Sequence, residues 1–248
     1  MSLLSYENFA LQYDRGSATN PFNTLLERPA LLGLLGPPGG LRVLEAGCAG
    51  GRLTRALADE GARVVAVDAS PTLVELARQR VGPAAEFRLH DLRRPLEFQP
   101  DGSVDAVVSS LTMHYLADWG PALGEFRRVL APGGRVLIST HHPVTDTDRT
   151  APDADYHIVE EITEVWNSYG SPPMTVRYYR RPLESIMRDA RRAGLVLSDL
   201  REPRPAEDQQ AAFGRKFARV TARPPFIVLE FVPAPDGATS GPRPEETT

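Results

Sequence analysis

Between residues 41 and 140 the apolar positions gather into five short runs. They are Leu41–Ala46, "ARVVAVD" ending at Asp68, "AEFRLHD" ending at Asp91, "SVDAVVSSL" ending at Leu111, and "RVLIST" ending at Thr140. Runs this short, rich in β-branched residues, read as strands, and the nearly continuous apolarity of the fourth marks a strand buried on both faces. The stretches between them carry the period of amphipathic helices. "RLTRALADEG" closes on Gly61, "SPTLVELARQRV" has Ser70 as N-cap and Pro71 at its first position, and "WGPALGEFRRVLAPGG" ends on a Pro-Gly-Gly stop. Strands alternating with helices predict an α/β fold built on a parallel sheet with right-handed crossovers.

The pattern changes on either side of this block. Residues 3–14 and 22–35 read as two amphipathic helices split by "GSATNP". After Thr140, "HHPVTDTDRTAPDAD" is polar and reads as a loop, and "YHIVEEITEVWNSYGSPPMTVRYYR" as two strands around a Gly-Ser-Pro-Pro turn. "PLESIMRDARRAG" reads as a helix, and "LVLSDLREP" and "PFIVLEFVPA" as closing strands. The final "PDGATSGPRPEETT" has almost nothing to bury and is expected to be disordered. The expected organisation is a helical lid over 1–40, a core over 41–140, a second lid over 141–182, the rest of the core over 183–233 and a tail over 234–248.

Composition narrows the function classes. Of 248 residues 42% are apolar and 24% charged, as in an ordinary globular protein, and the net charge of −4 gives no field for nucleic acid or an anionic membrane. No run reaches the ~18 apolar residues of a membrane span, and an N-terminus carrying Glu7 and Asp14 is not a signal peptide. Cys48 is the only cysteine, which excludes an intrachain disulfide and suits a reducing cytoplasm.

The glycine cluster after the first strand, "LEAGCAGGR", is the strongest chemical signal. A dinucleotide fingerprint needs a third glycine for close helix–strand packing, and Arg52 stands there. The alternative spacing is acid-x-G-x-x-x-G: Glu45, Gly47 and Gly51. An acid before the loop repels a pyrophosphate and suits a ligand carrying an ammonium and a sulfonium, which is S-adenosylmethionine (SAM). Asp68, at the end of the second strand, is placed to take ribose hydroxyls, and Asp91 to accept from the adenine amine.

Five stretches in order, "VLEAGCAGG", "VVAVDAS", "HDL", "VDAVVSSLTMHYL" and "RVLAPGGRVLIST", resemble the class I SAM-dependent methyltransferases of the type-11, ubiquinone-biosynthesis-like group. The resemblance covers residues 41 to 140; Ala49 departs from it, where the family usually has Gly. It implies a Rossmann-like, seven-stranded mixed sheet ordered 3-2-1-4-5-7-6, with strand seven antiparallel and helices on both faces. It also implies that the backbone from Gly47 through Cys48 and Ala49 to Gly51 lies against the methionine portion. Ser110 would contact the cofactor's amino-acid part, Ala69 and Leu92 would flank the adenine, and Tyr13 would close over the cofactor. Arg180 stands where many relatives have His.

Methyl transfer to a hydroxyl also requires a base, usually His. His114, His141 and His142 all follow strand ends on the side where this fold binds ligands, and are the candidates. Each reads equally as a hydrogen-bonded rim residue, and His90 and His157 read only so. His141, His142, Asp146 and Asp148 are metal-ligand types, but adjacent histidines do not easily turn to one ion, and no metal is expected. Cys48, inside the cofactor loop, reads as packing. Ser109-Ser110-Leu111-Thr112 replaces the Asn/Asp-Pro-Pro-Tyr signature of enzymes that methylate nucleic-acid bases. The expectation is a small-molecule methyltransferase, monomeric or homodimeric, without nucleic-acid or membrane partners and with secondary metabolism as its setting. The competing readings are a protein using bound SAM for another reaction, and an NAD-dependent oxidoreductase.

Overall fold

The computed structural model describes residues 7, 9–167 and 169–235. The start of the first expected helix and the expected tail beyond residue 235 lie outside the described residues. Among the described residues the first element is α1 (Ala10–Ser17), followed by a π-helical turn (Phe22–Glu27) that runs into α2 (Arg28–Leu35). Alternating elements follow: β1 (Arg42–Ala46), α3 (Arg52–Asp59), β2 (Arg63–Asp68), α4 (Pro71–Val81), β3 (Ala85–Leu89), β4 (Val104–Ser110), α5 (Gly120–Val129) and β5 (Leu130–His141). The last part holds α6 (Pro143–Thr150), the hairpin β6 (Glu160–Trp166) and β7 (Met174–Arg180), α7 (Leu183–Arg192), β8 (Leu195–Arg201), α8 (Gln210–Phe213), α9 (Phe217–Ala222) and β9 (Phe226–Pro233).

Seven strands form one mixed sheet in the order β3-β2-β1-β4-β5-β9-β8, of the expected class. β1 to β5 run parallel, while β9 runs antiparallel to both β5 and β8. β6 and β7 pair only with each other, outside this sheet. The chain reverses its direction of travel across the sheet between β1 and β4, and the loops after these two strands therefore diverge and leave a crevice. The strands alternate as sheet geometry demands. Leu44, Val107, Val136, Ile138 and Leu229 face one core with Trp119 and Phe126, while Val43, Ala106, Val108, Leu137 and Val228 face the other with Leu31, Leu57 and Val74. A smaller core under the hairpin joins Met174, Val176 and Tyr178 to Tyr13, Tyr115 and Trp166. Among the described residues no helix is long and apolar enough to cross a membrane.

Three local readings are corrected. The polar stretch after Thr140 is a helix, α6, because His142 caps it by accepting from the Thr145 amide at 3.4 Å and Pro143 opens it. Its buried face is polar, holding Asp146 and Thr147, so it lacks the apolar stripe that announces a helix. The Pro-Gly-Gly stop is absorbed into β5, which starts at Leu130, and the register with β4 shifts between the Val104–Leu130 and Ala106–Arg135 pairs. Residues 207–222, given no element from sequence, fold into α8, α9 and short 3₁₀ turns, too brief for a periodic signal.

Candidate active site

The loop after β1 is held in one shape by backbone bonds. Gly47 and Cys48 both donate to the Val67 carbonyl, at 2.8 and 2.9 Å. Gly47 has φ 89°, and a Cβ there would lie 2.0 Å from Thr112 Oγ1, so only glycine lets the loops after β1 and β4 come this close. The carboxylate of Asp68 accepts from the Ala49 amide at 2.8 Å and from the Ser70 amide at 2.9 Å. Those bonds hold Ala49 at φ 45°, which explains how an alanine takes the family's glycine position. Among the described residues the only other non-glycine with positive φ is Leu111, at 46°, just past β4. Such conformations cost on the order of 1–3 kcal/mol each and gather where loops are shaped for a ligand.

Between these loops lies a cavity of about 120 Å³. Gly47, Ala49, Asp68, Ala69, Asp91 and Leu92 line it, with Ser110 and Tyr13 across from them. Glu45 and Cys48 line a small adjoining cavity of about 40 Å³ that also exposes Arg28 and Arg52. Burial, with Asp68 nearby, pushes the Glu45 carboxyl up to about 8; Thr54 donates to it at 2.5 Å and opposes the rise. Burial raises Asp68 as well, and it pushes the Cys48 thiol well above its usual range, as befits packing rather than nucleophilic chemistry. Gly51 is set apart from the rest. It is the N-cap of α3 and packs against Ala77 of α4, so its place in the pattern serves helix packing and not the cavity.

Two expected contacts are already engaged. Ser110 Oγ donates to Glu27 at 2.8 Å, and Ser139 Oγ donates to the same carboxylate, which is fully buried and raised by that burial. Asp91 holds Arg93 through two 3.0 Å bonds from Nε and a further bond from Nη2. Sequence reasoning missed Thr112, Arg93 and Tyr115 on this cavity, and gave His90 no part in it.

A second cavity, of about 280 Å³, abuts the first, and Tyr13, Leu111 and Tyr115 belong to the walls of both. His114 and His141 face it, their rings stacked at 4.4 Å. His114 is 2% exposed, and neither of its ring nitrogens has a hydrogen-bond partner among the described residues. Burial, with His141 and Arg181 nearby, pushes it well below the usual histidine range; burial also lowers His141, partly offset by Asp146. His141 Nδ1 lies 3.8 Å from Asp146 Oδ2. Asp146 Oδ1 accepts from Arg149 at 2.6 Å and Tyr178 at 3.0 Å, and both of these donors also bind Glu164.

His142 is not on this cavity. Its Nε2 meets Glu202 at 2.8 Å, and its Nδ1 caps α6, so the capping geometry turns the ring away from its neighbour's. The metal-ligand types around it separate in the same way: Asp148 pairs with Arg223 at 2.7 Å and Asp146 with Arg149. Arg180 is buried in an ion pair with Glu160 at 2.6 Å that fastens the hairpin. His157 lies on the loop before the hairpin, its amide bonded to Asp155.

Comparison with known proteins places this geometry. Residues 44–138 match the methyltransferase domain family. A malonyl-[acyl-carrier protein] O-methyltransferase from Serratia marcescens is 39% identical over 111 residues, 44% of this chain and 42% of that protein, so the match spans about two fifths of the relative. A ubiquinone biosynthesis O-methyltransferase from Xylella fastidiosa strain M23 is 28% identical over 202 residues, covering 80% of this chain and 76% of the relative. In fold, an S-adenosylmethionine dependent methyltransferase from Mesorhizobium loti superposes with a TM-score of 0.65 at 23% identity, over 82% of this chain and 95% of that one. The five stretches that shape the crevice between β1 and β4 fall almost wholly within residues 44–138, the part of this chain that matches the methyltransferase domain family.

Proposed function

We propose that this protein is a SAM-dependent methyltransferase acting on a small-molecule acceptor, with a hydroxyl as the favoured nucleophile. The observation that carries this reading is the pair of adjoining cavities, whose common wall is Tyr13, Leu111 and Tyr115. The chain's residues suit the cofactor. The small cavity is lined by the buried acid Glu45 and by two cations, Arg28 and Arg52, the latter also paired with Asp14 at 3.1 Å, a set of charges that matches an amino-acid zwitterion. Asp68 presents a carboxylate for ribose hydroxyls, and Ala69 and Leu92 give apolar faces for an adenine. When bound, SAM supplies an electrophilic methyl group for in-line displacement.

The protein's own part is positional and acid–base. His141, neutral by burial, is the base for the proton of an acceptor hydroxyl, with Asp146 Oδ2 3.8 Å from its Nδ1 to favour the imidazolium that forms. His114 stacks behind it and holds that ring in place. The names of the Serratia and Xylella relatives, both O-methyltransferases, support an oxygen acceptor.

Calorimetric titration of protein stripped of carried-over cofactor is the test. Both SAM and S-adenosylhomocysteine should bind, and Asp68→Ala should abolish both, because the Ala49 loop and the ribose contact lose their acceptor together. No binding of either by the wild type sinks the proposal. Turnover of an acceptor without release of S-adenosylhomocysteine would mean that the bound cation serves another reaction.

A further inference from the structure

The second cavity is not electrically neutral. On its inner side the carboxylates of Asp146 and Glu164 share one guanidinium, Arg149, and the neutral hydroxyl of Tyr178, so that side carries an excess negative charge. On its outer side stand Lys216, Arg219 and Arg223. These positions are spaced i, i+3 and i+7 across α9 and its two caps, which sets them in one row on the helix face, with Val220 buried between them. Arg223 is engaged by Asp148, but Lys216 and Arg219 enter no ion pair among the described residues. Lys216 is the chain's only lysine, and its ammonium lies 5.5 Å above the Phe22 ring, which itself meets Phe226 edge-on. An uncompensated cationic wall in a chain of net charge −4, beside an aromatic cavity, calls for an anion.

Resting on the methyltransferase reading above, we propose that the acceptor is a planar aromatic or heteroaromatic molecule carrying a carboxylate remote from the methylated atom, and that Lys216 and Arg219 hold that carboxylate. The ring lies among Phe22, Trp166, Tyr169 and Phe226, and the nucleophilic end points inward to His141. The carboxylate stays at the mouth, where the fork of Arg219 and the point charge of Lys216 replace its water.

The test uses hydroxylated benzoates and cinnamates, each beside its carboxamide, titrated by ligand-observed NMR into protein saturated with S-adenosylhomocysteine. The acids should bind about tenfold tighter than their amides, as two partly solvated cations allow. In Lys216→Gln/Arg219→Gln the preference should disappear, and in Lys216→Glu/Arg219→Glu it should invert, with S-adenosylhomocysteine affinity unchanged in both. Three outcomes overturn the proposal while leaving the cofactor reading intact: equal binding of acid and amide, no acid binding at all, or a preference that survives the double variants. Failure of S-adenosylhomocysteine itself to bind overturns the cofactor reading and this proposal with it.

Discussion

Glu45 carries its charge only reluctantly. It is 1% exposed, and with its carboxyl pushed up to about 8 it is mostly protonated at pH 7 in the free protein. An ammonium arriving beside it favours the carboxylate, so the bound form has the lower value and binding releases a proton. The sign follows. Affinity rises with pH below about 8, where the free protein must give up that proton, and levels off above it. Calorimetry at pH 7 in buffers of differing ionisation enthalpy should register proton release for the wild type and none for Glu45→Gln. Equal release in both would remove Glu45 from the ammonium site. The role of Glu45 could be argued from sequence because a strand-end acid changes what a glycine loop can bind. The pinning of Ala49 by Asp68 could not, since it depends on where β2 places a carboxylate relative to a loop 19 positions earlier in the chain.

At the scale of elements, α6 shows where periodicity fails. A helix is legible when its buried face is apolar, and this one buries Pro143, Asp146 and Thr147 instead. Its cap, His142, was a candidate base by position alone. Adjacent residues at a strand end point to opposite sides, so of His141 and His142 one faces the cavity and the other the cap. His142→Ala should therefore cost about 1 kcal/mol of stability, as lost caps do. The chemical denaturation midpoint checks this, and turnover should be retained, whereas His141→Ala should lose turnover and keep S-adenosylhomocysteine binding. The reverse pattern would reassign the base. The strands and helices around β1 to β5 were legible because their apolar positions alternate between two cores, and Val107 against Ala106 and Val108 shows that period directly. The α8–α9 segment has no comparable repeat, and the cationic wall it carries was invisible with it.

The whole molecule brings together residues that sequence distance keeps apart. The crevice between the loops after β1 and β4 follows from a rule of sheet topology, and the sequence reading places its candidate cofactor residues there for that reason. The second cavity draws on α1, the loop after β4, the end of β5, α6, the hairpin and α9, and no single stretch announces it. One feature crosses from the first cavity to the second: Tyr13 stacks on Tyr169 at 5.4 Å, and Tyr169 on Trp166 at 5.3 Å. The chain has two tryptophans, and the other, Trp119, is wholly buried in the main core with the Arg181 guanidinium 4.7 Å from its ring. Light is then a natural reporter of this protein's working state. Trp166 emission should shift when either cavity fills, and Trp166→Phe should leave only the invariant signal of Trp119. A ligand-dependent signal that persists in Trp166→Phe would place the change elsewhere. The stack that joins the two cavities thus gives the protein a built-in fluorophore, so occupancy can be followed in real time without a label.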